Sequence, residues 1–151
     1  MSVSGSYRQF AQIVGCLLVS EPPLVAYSTA YVFGGTLPIF YEVDQVSFSM
    51  PVNVGDLINV HSRVLYCTSV KEALPDFDVF EGQRNIPLVS VQVEAWIIDP
   101  VQASAQLSNQ FFFTFALPAG TDIRKVLPGN MEEARVMATR MEADQVQDQD
   151  R

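Results

Sequence analysis

The feature that most narrows the fold is a change of period near residue 36. Between Ser20 and Gly35 the residues Leu24, Ala26, Tyr27, Ala30 and Phe33 recur at helical spacing, whereas from Tyr41 to Phe115 apolar and polar residues alternate. The alternation falls into four stretches, Tyr41 to Ser49, Leu57 to Thr68, Leu88 to Ile98 and Ala105 to Phe115, separated by turn-forming runs such as "MPVNVGD" and "DPVQAS". In the first, Asp44, Val46 and Phe48 share one face. In the second, Ile58, Val60, Ser62, Val64 and Tyr66 face inward, while Asn59, His61 and Arg63 face out. The third buries Val89, Val91, Val93, Ala95 and Ile97. The fourth sets Leu107, Asn109, Phe111, Phe113 and Phe115 against Ser108, Gln110, Phe112 and Thr114. Phenylalanines on both faces of this last strand call for cover on both sides, a helix on one and a partner on the other. One helix before an antiparallel sheet is an α+β arrangement in which the sheet wraps the helix.

The helix carries Pro22 and Pro23, which would each cost about 3 kcal/mol in a helix interior. With Ser20 as N-cap they fall in the first turn, where no backbone N–H is needed, so the helix is expected to start at Ser20 or Glu21. Gly34 and Gly35 can close it in a left-handed cap, and Gly55 suits the turn before the second strand. Lys71 to Asn85 is too long for a plain hairpin and has no period, so it reads as an insertion. Asn130 with Glu133 forms a capping box for a short C-terminal helix whose Ala134, Met137 and Met141 share a face, and "DQVQDQDR" reads as a polar, frayed tail. The expected division is a single domain over 1–128, followed by a helix and tail over 129–151.

A chain of 151 residues can bury roughly 70% of its unfolded surface in one core without a metal or disulfide staple. Two cysteines, Cys16 and Cys67, and one histidine, His61, supply neither a disulfide framework nor a zinc set, and no cofactor is expected. A net charge of −8 argues against a nucleic-acid surface, although much of the excess lies beyond Met131. No apolar run reaches the length of a membrane span and no basic, apolar leader is legible. A local Cys67–His61 dyad is excluded, because six residues along a strand is roughly 20 Å.

The stretch "VDQVSFSMPVNVGDLINVHSRVLYC", Val43 to Cys67, together with "AYSTAYVFGG" before it and "SNQFFFTF" and "VLP" after it, resembles the acyl-CoA thioesterases of the hotdog fold. The likeness runs from Gln12 to Pro128 and is strongest to the C-terminal half of the double-hotdog mitochondrial enzymes. It implies a central helix wrapped by an antiparallel sheet of about five strands, an acyl-CoA or CoA partner, and a mitochondrial or cytoplasmic location. In enzymes of this kind an Asn-x-x-Gly-Gly stretch leads into the central helix, whose free N–H groups point at the thioester oxygen. Here the matching stretch is "QIVGC", with Gln12 in place of Asn, Gly15 retained and Cys16 in place of the second Gly. Where the family tends to carry an acid inside the helix, this chain has Pro23 and Leu24, and Glu21 is the nearest carboxylate.

Two functions follow from the resemblance. In one, the chain hydrolyses fatty acyl-CoA, with the Gly15 and Cys16 N–H groups as an oxyanion hole and Gln12, Glu21 or Asp44 holding water. In the other, it is a degenerate hotdog subunit that binds acyl-CoA or completes an oligomer without turnover. Asp44, Ser62 and Asn109 are inward polar residues that either satisfy one another, line an acyl or water channel, or lie solvated near strand ends. Arg63, Lys71, Arg84, Arg124 and Lys125 are the candidate cations for CoA phosphates. A homodimer or larger homo-oligomer is expected, since hotdog sheets join into one continuous sheet and remove an exposed edge.

Overall fold

The computed structural model describes residues 22–70 and 85–149. A helix, α1, covers residues 22–34 and is followed by four strands and a second helix: β1 (Ile39–Phe48), β2 (Leu57–Val70), β3 (Ile86–Asp99), β4 (Ser104–Ala116) and α2 (Met131–Gln149). The strands form one antiparallel sheet in the order β1-β4-β3-β2, so the described residues hold four strands where about five were expected. All four lie within two or three residues of the alternating stretches. The Lys71 to Asn85 insertion falls outside the described residues except for Asn85.

The two faces of the sheet carry different chemistry. On one, α1 sets Ala26 and Ala30 against Val89, Val91 and Val93 of β3 and Phe111, Phe113 and Phe115 of β4, with Leu117 closing the cluster. The two alanines leave room for the helix backbone to approach the sheet, and Tyr27 and Phe33 flank them. Leu24, expected on this face, is 60% exposed. The close approach continues at Gly34, where a Cβ would sit 2.6 Å from Leu117 Cδ1. Gly35 then takes φ +67° and its N–H donates to Tyr31 O at 2.8 Å, the left-handed cap expected there.

Of the four register shifts in the sheet, two move Asp44 and Tyr66 from the faces that strict alternation gives them. Phe40, Val43, Val46 and Phe48 of β1 stand opposite Phe115, Phe113, Phe111 and Asn109 of β4, but the register slips between Val43 and Gln45. The extra residue turns Asp44 to the opposite face, away from Val46 and Phe48, with which alternation had grouped it. A second slip, between Val64 and Tyr66, turns Tyr66 away from α1 and brings Cys67 onto the α1-side core. Burial pushes the Cys67 thiol up to about 11, so it is a packing residue at neutral pH.

The second face of β4 is covered by the chain's own α2. Phe112 packs with Leu65 and Tyr66, with Val136 and Met137 of α2 above them, and the Arg140 guanidinium lies 4.9 Å from the Phe112 ring centroid. The double-sided aromatic pattern therefore does not require another subunit on this face. Asn130 caps α2 through a 2.8 Å bond from Glu133 N–H to Asn130 Oδ1, while Glu133 reaches back to the Gly129 N–H at 2.7 Å, one residue earlier than a capping box has it. The helix runs to Gln149, well past the short helix expected, and its sheet-facing residues are Val136, Met137 and Arg140, with Met141 exposed. No helix among the described residues is long and apolar enough to cross a membrane.

Candidate active site

A groove of about 570 Å³ runs along one side of α1. Leu24, Val25, Ser28, Thr29, Val32 and Phe33 form its helical wall, Val64 of β2 its floor, and Arg124 stands at its rim. These helical positions repeat at three and four residues, so one stripe of α1 faces the groove while the Ala26 and Ala30 stripe faces the sheet. The volume lies within the range of small-molecule sites, and the walls are mostly hydrocarbon with few polar groups.

Ser62 enters this region from β2 and bonds to Thr29 of α1. The Thr29 hydroxyl hydrogen goes to Val25 O at 2.9 Å, so Ser62 Oγ is the donor of the pair. Of the three inward polar residues expected from the sequence, Ser62 alone combines the α1 side with a place beside the groove. Asn109 is buried and accepts from Ser108 Oγ at 2.6 Å, and its strand is fixed locally by the Ser49 and Met50 N–H groups donating to Ser108 O. Asp44 is on the far side of the sheet, accepting from Thr114 Oγ1 at 2.9 Å and facing Arg140 Nη2 at 3.3 Å. The three do not meet, because the β1 bulge separates Asp44 from the other two.

Asp44 is therefore placed away from the α1 side, where a water-holding group for a thioester would stand. Burial holds its carboxyl up at about 6, against the lowering effects of the Thr114 hydrogen bond and the Arg140 charge. Arg63, named as a phosphate-binding cation, is committed within the fold. Its Nε donates to Gln92 Oε1 at 2.7 Å, and its guanidinium lies 3.8 Å from Glu94 and 3.5 Å from Glu133, tying β2 and β3 to the start of α2. Glu94 also accepts from Gln92, Gln110 and Trp96, which makes this cluster a saturated outer-face network. Arg124 lies over the Phe33 ring at 5.4 Å with its charge at the groove mouth.

Gln12, Gly15, Cys16, Glu21, Lys71 and Arg84 lie outside the described residues, as does Ser20, the expected N-cap of α1. Thr29, Ser28 and Val32 were missed as groove residues. The legible signal was a pair of hydroxyls, Ser28 and Thr29, within an otherwise apolar helical stripe. Among the described residues no three His, Cys, Asp or Glu side chains gather closely enough to hold a metal ion.

No family model matches the chain. Over 140 residues it is 38% identical to the chloroplastic acyl-coenzyme A thioesterase 2 of Humulus lupulus, a match covering 88% of this chain and 29% of that protein. It is 36% identical over 140 residues to the mitochondrial acyl-coenzyme A thioesterase 4 of the same plant, covering 89% of this chain and 24% of the relative. The chain thus spans less than a third of the length of these curated relatives. Its fold superposes on an acyl-CoA hydrolase of Staphylococcus aureus solved with butyryl coenzyme A, coenzyme A and coenzyme A disulfide, with TM-score 0.64 and 20% identity, over 90% of this chain and 79% of that one. It superposes equally on a hexameric acyl-CoA thioesterase solved in the apo state, with TM-score 0.65 and 16% identity, over 89% and 78% of the two chains. At those identities the structural likeness establishes the hotdog architecture, and the sequence likeness carries the rest. The chain belongs to the hotdog-fold acyl-CoA thioesterase family.

Proposed function

We propose that the chain is the hotdog unit of an acyl-CoA thioesterase that hydrolyses fatty acyl-CoA to free acid and CoA. The observation that carries this reading is the 38% identity to a named acyl-CoA thioesterase over 88% of the chain. The groove beside α1 supports it, because a wall of Leu24, Val25, Val32, Phe33 and Val64 suits an acyl chain and Arg124 at its rim suits an anionic headgroup. The oxyanion donors are the Gly15 and Cys16 N–H groups, and Gln12 or Glu21 orients the attacking water. Ser62 and Thr29 fix the polar inner end of the groove. Arg84, Lys71, Arg124 and Lys125 are the cations for CoA phosphates, with Arg63 engaged elsewhere. The span of less than a third of its relatives fits one hotdog of a double-hotdog protein, and of a mitochondrial or cytoplasmic location the mitochondrial relative favours the first, while the other relative is chloroplastic.

Groove occupancy has a direct test. Ser28 is exposed and lines the groove, so Ser28→Trp fills it from the rim without entering the core. Each methylene that leaves water contributes about 0.8 kcal/mol, or roughly fourfold in affinity. Calorimetric affinity for a series of acyl-CoA chain lengths is expected to climb at that rate in the unmodified protein. Ser28→Trp should displace about three methylenes' worth of chain and weaken long-chain binding roughly 50-fold. An unchanged affinity would place the acyl chain somewhere other than this groove.

A second reading, binding without turnover, is favoured by Leu24. It stands where related enzymes tend to carry an acid, and it presents hydrocarbon to the groove. Thiol release measured on the same preparation separates the two readings. Hydrolysis supports the enzyme, whereas affinity without hydrolysis supports the degenerate subunit.

Self-association is proposed through β1, which is an outer strand of the sheet among the described residues. Phe40, Val43, Val46 and Phe48 form an apolar row there, each between 41% and 70% exposed. Sedimentation equilibrium at micromolar concentration is expected to show a dimer or multiple of it, and Val46→Lys with Phe48→Lys should return the 16.7 kDa monomer. A monomer in the unmodified protein would refute the interface.

A further inference from the structure

The outer face of the sheet carries a row of polar side chains that the thioesterase reading does not use. Tyr66, Ser90 and Thr114 are cross-strand neighbours on β2, β3 and β4, and Thr114 Oγ1 donates to Asp44 of β1 at 2.9 Å. Arg140 of α2 meets the Asp44 end, while Val136 and Met137 of the same helix cover the cluster that holds Tyr66. All of this is interior, with the Asp44 side chain 1% exposed, that of Arg140 8%, and Ser90 and Tyr66 at 2% and 3%. Four atoms of the layer nevertheless have no hydrogen-bond partner among the described residues: Asp44 Oδ1, Arg140 Nε, Ser90 Oγ and Tyr66 OH. Native interiors rarely leave such groups unpaired.

The contacts that these side chains do make explain why the fold leaves the other atoms over. Arg140 and Asp44 meet through Nη2 and Oδ2 at 3.3 Å, whereas a fork-to-fork pair would bring two N–H groups onto two oxygens at about 2.8 Å. The same Nη2 donates to Asp144 at 3.0 Å, and the guanidinium lies over the Phe112 ring, 4.9 Å from its centroid. Held at those points, the guanidinium cannot turn its Nε–H onto Oδ1 without giving them up. Ser90 has the smallest side chain of its row and stands between Tyr66 and Thr114, so its hydroxyl falls short of both neighbours while α2 covers the two ends. A short side chain between longer ones leaves space in the layer, and that space is lined by polar atoms.

We propose that the seam between the sheet and α2 is a binding site for internal water, in which one molecule accepts from Arg140 Nε–H and donates to Asp44 Oδ1, and further water supplies the hydroxyls of Ser90 and Tyr66. Water suits the site because it donates and accepts at once. An anion would be repelled by Asp44, a cation by Arg140, and an apolar guest would leave all four atoms unpaired. Immobilising a water costs less than burying a charged group's atom with no partner, so the hydrated seam is the stable one. The site lies on the face of the sheet opposite the groove and does not depend on the thioesterase reading.

The direct test is a crystal structure of the full chain at a resolution that shows ordered solvent. A solvent peak is expected within hydrogen-bonding distance of both Asp44 Oδ1 and Arg140 Nε, with another beside Ser90 Oγ. Protein partners on those atoms, or no solvent peak beside them, would overturn the site. A second measurement needs no crystal and turns on a sign. A buried hydroxyl with no partner weakens the fold, so its removal in Ser90→Ala would raise the folding equilibrium constant by about fivefold or more. A hydroxyl bonded to internal water contributes to the fold, so Ser90→Ala is expected to lower that constant by about two- to tenfold, and Tyr66→Phe to lower it likewise, read as urea unfolding midpoints at unchanged slope. A constant that rises or stays level in Ser90→Ala refutes the proposal.

Discussion

Phe115→Ala is expected to destabilise the fold by about 3–5 kcal/mol, as an equilibrium urea unfolding midpoint shift at unchanged slope. Phe115 is 1% exposed at the centre of the sheet and meets Tyr27 of α1 edge-on at 6.1 Å and Phe40 of β1 at 6.0 Å. It thus joins three elements, and truncation removes its buried area together with these two ring contacts and a third, to Phe113 at 6.4 Å. The neighbouring rings cannot collapse into the space, because Phe113 is itself held between Phe111 and Phe40. A loss of this size is a large share of the roughly 5–15 kcal/mol that a domain commands. Val101→Ala provides the contrast, since that side chain is 92% exposed and its loss should cost well under half as much. Equal losses at the two positions would mean that the Phe111 to Phe115 row is not the centre of the core.

The second large effect concerns turnover. Of Gln12→Ala and Glu21→Ala, the one that removes the group orienting the attacking water is expected to lower thioester hydrolysis by about 10²–10⁴. The proposed roles act in the transition state, so kcat and kcat/KM should fall together, with acyl-CoA affinity retained by the groove. Leu24→Ala shortens the groove wall without touching the reacting atoms and is expected to raise KM with kcat preserved. If Gln12→Ala and Glu21→Ala both turn over at the unmodified rate, the water is held by other residues.

The strands were legible because each keeps a period of two for at least eight residues, and β2 and β3 extend only a little beyond the stretch that shows it. The Gly34–Gly35 stop and the Asn130 cap were legible because each is a local device whose geometry its own residues dictate. What alternation could not give was the side of the sheet on which Asp44 and Tyr66 lie. A bulge inserts one residue, reverses every assignment beyond it and is set by how β1 and β2 fit their neighbours, so the sequence of either strand alone does not encode it. Ser62, reached before the β2 bulge, was placed correctly for the same reason. Arg140 was invisible as a core residue because a lone arginine among Glu, Met and Asp reads as a solvated helix position, and its burial depends on a carboxylate almost 100 residues earlier in the chain.

The sheet order also sets a timetable for the newly made chain. Among the described residues β3 meets its sequence neighbours on both sides, β2 and β4, by antiparallel pairing, whereas β1 pairs with β4, made after both of the other two strands. Closing that long loop is a late and entropically costly step. Until it happens Phe40, Val43, Val46 and Phe48 lack their β4 partners, and an apolar strand left waiting in this way is a point where nascent chains misassemble.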